Sequence, residues 1–251
     1  MALPAVLVTG GSARIGGAIS RRFADAGWHV LVHTREHSDD VERFTASLPS
    51  AQSVACDLSD GDGAVAMVER LASEVPSWQA LINSASVFEY DDGHGLDPAI
   101  AATAMQVNAV TPARMTQAFL RNTSDNLGRR VIQVTDMKLE NPNPDFFSYT
   151  MSKHALASTI AMLAQSSTKP EDRIYGLAPG AILPSHDQSE DESEISHRLN
   201  LLGRKTGAEE LAEAAYFLAQ GHLRSGETLF VDSGQHLLSQ PRDVIYLARE
   251  G

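Results

Sequence analysis

The chain has a single cysteine, Cys56, so an internal disulfide bond cannot form. It is also poor in positive charge, with 20 lysines and arginines against 32 aspartates and glutamates. A net charge of −12 without a basic run argues against nucleic acid or an anionic membrane surface as a partner. No apolar run is long enough to cross a bilayer, and residues 1–4 show no secretory signal pattern. Together these absences predict a cytoplasmic protein.

Short apolar runs alternate along the 251 residues with stretches of helical spacing. The apolar runs predict about seven strands, at Ala5–Thr9, Val30–His33, Ser53–Cys56, Ala80–Asn83, Val131–Thr135, Arg173–Ala178 and Thr228–Val231. Helices are predicted at Ile15–Ala26, Asp39–Leu48, Ala64–Val75, Asp97–Arg121 and Ser148–Gln165. Strands that are apolar on both faces need helices on both sides. The pattern therefore predicts one α/β domain over residues 1–251, a doubly wound, seven-stranded parallel sheet of the Rossmann type.

Two polar segments follow the ends of predicted strands, Phe88–Pro98 after the fourth and Leu183–Thr206 after the sixth. Because open α/β sheets bind ligands at the carboxyl ends of their strands, both segments are expected beside a binding site. The second is strongly acidic from residue 186 to residue 194 but lacks metal-ligand spacing, so we expect a solvated surface and no metal. We predict that residues 183–206 form a mobile lid over the substrate.

A glycine-rich turn, TGGSARIG at residues 9–16, joins the first predicted strand to the first predicted helix. Glycine lets a backbone approach a pyrophosphate closely, and a helix N-terminus offers unpaired N–H groups and a partial positive charge. A tight strand-to-helix turn without a ligand has the same composition. The place of this turn at the head of a βα alternation favours a dinucleotide site, with contacts from Gly10, Ser12, Arg14, Ile15 and Gly16.

The tip of the second predicted strand carries an arginine and no acid. His33 is followed by Thr34 and Arg35, and the first carboxylate, Glu36, lies past the tip. NAD-specific sites place a carboxylate at this tip to hold the ribose 2′-hydroxyl, whereas a guanidinium suits a 2′-phosphate. The tip therefore favours NADPH as the cofactor, with contacts from His33, Thr34 and Arg35. A solvated surface arginine is the alternative.

Motifs over nearly the whole chain resemble the short-chain dehydrogenase/reductase family. They are TGGSARIG (9–16), CDL (56–58), NSAS (83–86), Asn108, YTMSK (149–153), PG (179–180) and VDSG (231–234). The resemblance implies a reductase with cofactor contacts from Cys56, Asp57, Leu58, Asn83, Ala85, Ser86, Thr135, Tyr149, Lys153, Pro179, Gly180 and Ile182. It also implies a homotetramer, with a dimer as the alternative, because family members commonly pair the two long helices, which here carry more apolar positions than one sheet face needs.

Two departures from the family pattern point to a narrower group. Arg14 occupies a glycine-type position of the first turn, and Asp136 stands where most members have a serine after the fifth strand. With Tyr149 and Lys153, these residues resemble pteridine reductases and bacterial dihydromonapterin reductases. The resemblance implies reduction of a dihydropterin, of the dihydromonapterin, dihydrobiopterin or dihydrofolate type, at a C=N bond.

The catalytic expectations concern four residues. Tyr149 and Lys153 share a helix face, and an ammonium near a phenol favours the phenolate, so we expect Lys153 to lower the pKa of Tyr149. The resemblance implies that this pair relays a proton and that Asn108 tethers a water in the relay. Asp136 could protonate the pterin nitrogen, and the sequence leaves open whether burial or Lys153 decides its pKa. Alternatively, Asp136 caps a turn in an inactive protein.

Three further residues are expected on the substrate. Phe88 could stack on a flat pterin ring, Ser86 could contact the ring or the cofactor, and Arg14 could bridge the pyrophosphate and a pterin oxygen. Core packing for Phe88 and a phosphate contact alone for Arg14 are the alternatives.

Two other functions remain open from the sequence. One is a general carbonyl or enoyl reductase of the same fold, which the missing serine disfavours. The other is a non-catalytic NADP(H)-binding regulator, which the intact Tyr149, Lys153 and Asn108 disfavour.

Overall fold

Strands and helices alternate in the structure as the sequence predicts. The computed structural model describes residues 2–123, 128–167, 169–184 and 188–250. Its strands are β1 Ala5–Val8, β2 His29–Thr34, β3 Ala51–Ala55, β4 Trp78–Asn83, β5 Arg130–Val134, β6 Arg173–Pro179 and β7 Thr228–Val231. Its helices are α1 Arg14–Asp25, α2 Asp39–Ala46, α3 Gly61–Glu74, α4 Pro98–Met105, α5 Thr111–Asn122, α6 Phe147–Ser166, α7 Glu190–Ser196, α8 Ala208–Ala219 and α9 Val244–Glu250. The last three helices were absent from the prediction.

All neighbouring strands pair in parallel, in the order β3-β2-β1-β4-β5-β6-β7. The predicted fold class is confirmed. The strand order reverses between β1 and β4, and a crevice opens at such a reversal, beyond the carboxyl ends of the strands. The glycine-rich turn follows β1 and residues 84–86 follow β4, so the sequence motifs meet at this crevice. Within the described ranges, every helix is too short or too polar to span a membrane.

The sheet is buried on both faces. On one face α1 packs against α8, and on the other α3 packs against α5, with α6 beside the sheet. Each face has its own apolar core, one centred on Phe23 and Leu211 and the other on Leu71 and Phe119. In the second core the rings of Trp78 and Phe119 lie with centroids 4.8 Å apart. The two helix layers therefore cover both faces of the sheet and leave the carboxyl ends of its strands open to the crevice.

The long helix predicted over residues 97–121 is divided by a π-helical turn at Gln106–Val110. Pro112 explains the interruption, because it has no N–H to donate to the carbonyl of Asn108, four residues earlier. Within this turn, the Asn108 side chain contacts Val87, in the loop after β4, and Ser152 of α6.

The start of α6, which carries Tyr149 and Lys153, is fixed by a residue from another loop. Phe146 precedes the helix in a left-handed conformation, with φ of 54°, and supplies no side-chain cap. Instead, the buried Asp91 accepts hydrogen bonds from the backbone N–H of Ser148, at 2.9 Å, and from its hydroxyl. The polar loop after β4 therefore caps the helix that bears Tyr149.

We predict that Asp91→Ala lowers the free energy of unfolding by about 2 kcal/mol, because two buried donors at the helix start lose their acceptor. Urea denaturation at neutral pH measures this loss. Asp92→Ala is the matched control, since the Asp92 carboxylate accepts from residues of its own loop at positions 90, 94 and 95. Equal stability losses in the two variants would contradict the capping role.

Candidate active site

A cavity of about 1040 Å³ lies at the carboxyl ends of the strands. The sequence-predicted residues that line it are Gly10, Ser12, Arg14, Ile15, Gly16, His33, Thr34, Arg35, Cys56, Asp57, Leu58, Ala85, Ser86, Phe88, Thr135, Asp136, Tyr149, Lys153, Pro179, Gly180 and Ile182. Residues from distant parts of the chain therefore share one volume, which is large enough for a dinucleotide and a small ring.

The glycine-rich turn forms one wall with its backbone. A Cβ atom at Gly16 would overlap the carbonyl oxygen of Gly10, so this position tolerates no side chain. The turn is also tied to the next strand, because the Thr9 hydroxyl accepts from the backbone N–H groups of Ser84 and Ala85, each at 2.9 Å. Ala13, at the N-terminus of α1, offers no capping side chain. The first N–H groups of the helix are thus left for an anion.

The side chain of His33 contacts the glycine-rich turn and the end of β3. Its Nδ1 lies 3.4 Å from the backbone N–H of Gly10, and its Nε2 lies 3.0 Å from the carbonyl oxygen of Cys56. The geometry requires the neutral ring, with Nδ1 accepting and Nε2 donating. Burial lowers the pKa of His33 to about 4. The side chain therefore braces the turn and the end of β3, and both ring nitrogens are occupied by protein.

His33 should make the fold sensitive to acid. The folded state keeps the ring neutral down to about pH 4, whereas the unfolded state takes up a proton from pH 6.5. Stability is therefore lost as the pH falls through this window, by about 2 kcal/mol between pH 7 and pH 4.5. Urea midpoints should fall less steeply with acid in His33→Gln than in the wild type. The exposed His222, changed to Gln, is the control, and identical slopes in all three proteins would reject the assignment.

The tip of β2 presents Arg35 at the outer end of the cavity. Its side chain is 74% exposed and lies 3.1 Å from the Glu36 carboxylate. Thr34 fixes the turn, since its hydroxyl donates to the carbonyl of Glu36 at 3.0 Å. Arg35 is thus accessible to an anionic ligand, as the sequence predicts.

At the inner end of the cavity, Tyr149 and Asp136 form a hydrogen bond. The Tyr149 hydroxyl donates to Oδ2 of Asp136 at 2.6 Å. The other oxygen, Oδ1, accepts from the backbone N–H of Lys138 at 2.9 Å and caps the 3₁₀ turn at Met137–Leu139. Asp136 therefore caps a turn and at the same time faces the cavity. Burial raises the pKa of Asp136, although Lys138, Tyr149 and Lys153 act in the opposite direction.

The expected lowering of the Tyr149 pKa is wrong. Burial, together with the charge and hydrogen bond of Asp136, raises the pKa of Tyr149 well above 10. Lys153 does not offset this, because its Nζ donates to the carbonyl of Val134 at 2.8 Å and lies 5.6 Å from the tyrosine ring centroid. Burial lowers the pKa of Lys153 itself to about 8. The phenol is therefore held in its protonated form.

Two predicted site residues lie outside the cavity wall. The Asn83 amide donates to Gln133, at 3.0 Å, and to Thr116, at 3.3 Å, so its buried side chain links β4, β5 and α5, and a cofactor contact at Asn83 stays a prediction. Sequence spacing cannot show to which side of the strand end this side chain turns.

Asn108 is also a positioning residue. Its Nδ2 donates to the carbonyl of Val87 and to the Ser152 hydroxyl, each at 3.0 Å, and its Oδ1 accepts from the Val87 N–H at 2.8 Å. Protein groups thus occupy both polar atoms of its side chain, and the expected water tether at Asn108 stays a prediction. Asn108 instead joins the loop after β4 to α6.

Phe88, Ser86 and Arg14 reach the cavity with other partners. Phe88 stacks on Phe146, with ring centroids 4.0 Å apart, and meets Tyr149 edge-on. The Ser86 hydroxyl donates to the carbonyl of the next residue at 3.3 Å. Arg14 donates to the carbonyl of Pro184 at 3.1 Å, so it links the glycine turn to the segment after β6. Their contacts with a substrate stay predictions.

The segment predicted as a lid contains α7. Gln188, Ser196 and His197 line the cavity from this side. Residues 185–187, which include the first two positions of the acidic stretch, lie outside the described residues, and a lid motion stays a prediction. Among the residues that the structure describes, no group of three or more histidine, cysteine, aspartate or glutamate side chains could hold a metal ion.

Several lining residues escaped the sequence analysis. His37 and Ser38 lie at the outer end, Gln235 follows β7, and Asp243, Val244 and Ile245 come from the end of the chain. Gln235 fixes the turn after β6, since its Oε1 accepts from the Ala181 N–H at 2.9 Å. Gln235 directly follows the VDSG motif at residues 231–234, which was the available signal for it, whereas the other five residues belong to no recognisable motif.

The chain belongs to the short-chain dehydrogenase/reductase family. The family profile described as enoyl-(acyl carrier protein) reductase matches residues 11–236. The parallel sheet, the glycine turn and the Tyr149–Lys153 pair described above agree with this membership.

Several known proteins are similar over nearly their whole length. Dihydromonapterin reductase of Citrobacter koseri is 26% identical over 235 residues, covering 92% of this chain and 96% of that protein. A putative ketoacyl reductase of granaticin polyketide synthase from Streptomyces violaceoruber is 26% identical over 242 residues, covering 94% and 97%. The solved structure of FolM alternative dihydrofolate reductase 1 from Brucella canis, complexed with NADP, has a TM-score of 0.88 and 29% identity, covering 96% of each chain. The predicted resemblance to the dihydromonapterin branch is confirmed.

Proposed function

We propose that this protein reduces a dihydropterin to its tetrahydro form with NADPH, by hydride transfer to a C=N bond. The observation that carries the proposal is the Asp136 carboxyl group, which faces the cavity in hydrogen-bond contact with Tyr149. A C=N bond accepts a hydride at carbon and needs a proton at nitrogen. An acid at this position serves that need, whereas a serine hydroxyl serves a carbonyl oxygen.

The cavity fits NADPH at its outer end. The backbone-lined turn at residues 10–16 and the uncapped start of α1 suit the pyrophosphate, and Arg35 suits the 2′-phosphate. Lys153, buried beside the crevice, can donate to the nicotinamide ribose. The cofactor supplies the hydride when it is bound.

The proton at the inner end is supplied by the protein. Burial favours the neutral form of Asp136, so this carboxyl group binds a proton more readily than an exposed aspartate. Asp136 can pass that proton to the substrate nitrogen. Tyr149, whose hydroxyl donates to Oδ2 over 2.6 Å, holds the carboxyl group in position, and the carboxylate left by the transfer takes up its next proton from solvent when the product leaves. The raised pKa of Tyr149 keeps this donor protonated at neutral pH.

Overall similarity does not choose between a pterin and a ketone as substrate, because the identity to the dihydromonapterin reductase and to the ketoacyl reductase is 26% in each case. The difference lies at one position of the site. Asp136 replaces the serine expected for reduction of a ketone, and it is hydrogen-bonded rather than turned away. This replacement favours the dihydropterin.

Asp136→Ser should lower the turnover of dihydropterins by one to two orders of magnitude, about 1.4–2.7 kcal/mol of transition-state stabilisation. A hydroxyl keeps a hydrogen bond to Tyr149 but cannot match the acidity of a carboxyl group. Steady-state NADPH oxidation with dihydromonapterin or dihydrobiopterin measures the effect.

Asp136→Asn is the matched control for shape, and it should lose activity to a similar extent because an amide cannot donate a proton as an acid. Both variants should bind NADPH like the wild type, since the turn at residues 10–16 and Arg35 are unchanged. Undiminished dihydropterin turnover in a folded, NADPH-binding Asp136→Ser protein would exclude the proposed role.

We also infer a homotetramer that pairs through α5 and α6. Val110 ends the π-helical turn just before α5, whereas Phe147, Met151 and Met162 lie on α6. These large apolar residues are 42%, 40%, 38% and 59% exposed, respectively. Phe147 and Met151 lie four residues apart on one helix face, as a paired helix requires. Sedimentation velocity at micromolar concentration should show a tetramer, and a monomer would contradict the inference.

A further inference from the structure

The end of the chain closes the inner part of the cavity. The family profile matches the chain as far as residue 236, whereas Asp243, Val244 and Ile245 line the cavity beside Tyr149 and Asp136. We call residues 237–250 the C-terminal segment. One wall of the site is therefore built from residues beyond the part of the chain that the family profile covers.

A buried ion pair attaches this segment to the site. Oδ2 of Asp243 lies 2.7 Å from Nζ of Lys138, and the two side chains are 10% and 5% exposed. Lys138 belongs to the 3₁₀ turn that Asp136 caps. A second carboxylate, that of Asp145, accepts from the Asp243 backbone N–H and from the Arg242 side chain, each at 2.8 Å. Nζ of Lys138 also donates to the carbonyl of Asp145, at 3.2 Å, and Oδ1 of Asp243 accepts from the Ile245 N–H, at 3.1 Å. Because both charges of the pair have these further partners, the segment is held firmly against the Asp136 turn.

Ile245 fills the space next to the catalytic tyrosine. It is 7% exposed and forms a buried apolar cluster with Tyr149 and Phe146. Val244, 5% exposed, lines the cavity beside it. An acceptor that is larger than its reacting ring extends past Tyr149. These two side chains limit the space into which it extends.

The same segment supports the opposite wall. Helix α9 packs against α7, and Nε of Arg249 lies 2.9 Å from the carboxylate of Glu192. Ser196 and His197 of this side also line the cavity. The C-terminal segment thus contacts both walls of the inner end of the cavity. A substitution in this segment therefore changes the space for an acceptor and leaves the glycine turn unchanged.

We propose that Val244 and Ile245 select the acceptor by size, and that the Asp243–Lys138 ion pair holds them in place. The identity of the acceptor as a dihydropterin rests on the proposed function. The size limit itself rests on the position of Ile245 against Tyr149. Compact acceptors such as dihydrobiopterin should be favoured over bulky ones such as dihydrofolate.

The test compares kcat/KM for dihydrofolate and dihydrobiopterin in the wild type, Ile245→Ala, Ile245→Phe and Leu247→Ala. Leu247 lies on the same helix, is half-buried and does not line the cavity, so it controls for a loss of helix packing. The ratio of bulky to compact acceptor should rise about tenfold in Ile245→Ala, fall in Ile245→Phe and stay unchanged in Leu247→Ala. NADPH affinity should be the same in all four proteins.

An unchanged ratio in folded, NADPH-binding Ile245 variants would overturn the proposal. Ile245→Val, a milder truncation, should shift the ratio in the same direction and serves if the alanine variant fails to fold. Asp243→Asn should also raise the ratio, and an unchanged ratio there would overturn the part assigned to the ion pair.

If the wild type oxidises NADPH with ketones and with neither pterin, the proposed function fails. The same ratio is then measured with a bulky and a compact ketone, and an unchanged value overturns the size limit independently.

Discussion

The hydrogen bond from Tyr149 to Asp136 joins the end of β5 to α6, and the architecture around the cavity keeps these two elements in register. Asp91 caps α6 from the loop after β4. Asn108 ties that same loop to Ser152 of α6, and Lys153 donates to the carbonyl of Val134 at the end of β5. A distance of 2.6 Å between Oη and Oδ2 therefore depends on supports from three separate parts of the chain.

Burial has a common effect on the ionisable groups of the site. It raises the pKa of Asp136 and lowers the pKa of Lys153 and His33, so each group is displaced toward its neutral form. The same shift makes Asp136, at the inner end of the cavity, bind a proton more readily than an exposed aspartate does.

The alternation of strands and helices, the glycine turn and the Tyr149–Lys153 pair could be predicted from the sequence because periodicity and motif spacing determine them. The directions of the Asn83 and Asn108 side chains could not, since both depend on polar partners that are distant in sequence. The predicted lowering of the Tyr149 pKa was wrong for a related reason. Spacing showed that Lys153 shares its helix face, but only the fold shows that Asp136 is the nearer charge and that Lys153 turns to a backbone carbonyl.

The position of the C-terminal segment could not be predicted because the segment carries no motif. Its contribution to the cavity wall depends on the path that the chain takes after β7. The cofactor half of the cavity is thus the part that sequence patterns describe best. The acceptor half depends on loops and on the last helix, whose positions follow from packing against α7 and Phe146. Differences in acceptor among proteins of this fold can arise in that half without any change to the glycine turn.

The most direct test of the account is NADPH oxidation by the wild-type protein with dihydromonapterin, dihydrobiopterin, dihydrofolate and a simple ketone, measured side by side. The acid at Asp136 predicts that kcat/KM is higher for at least one dihydropterin than for the ketone. Turnover of the ketone with no turnover of any dihydropterin would contradict the central claim.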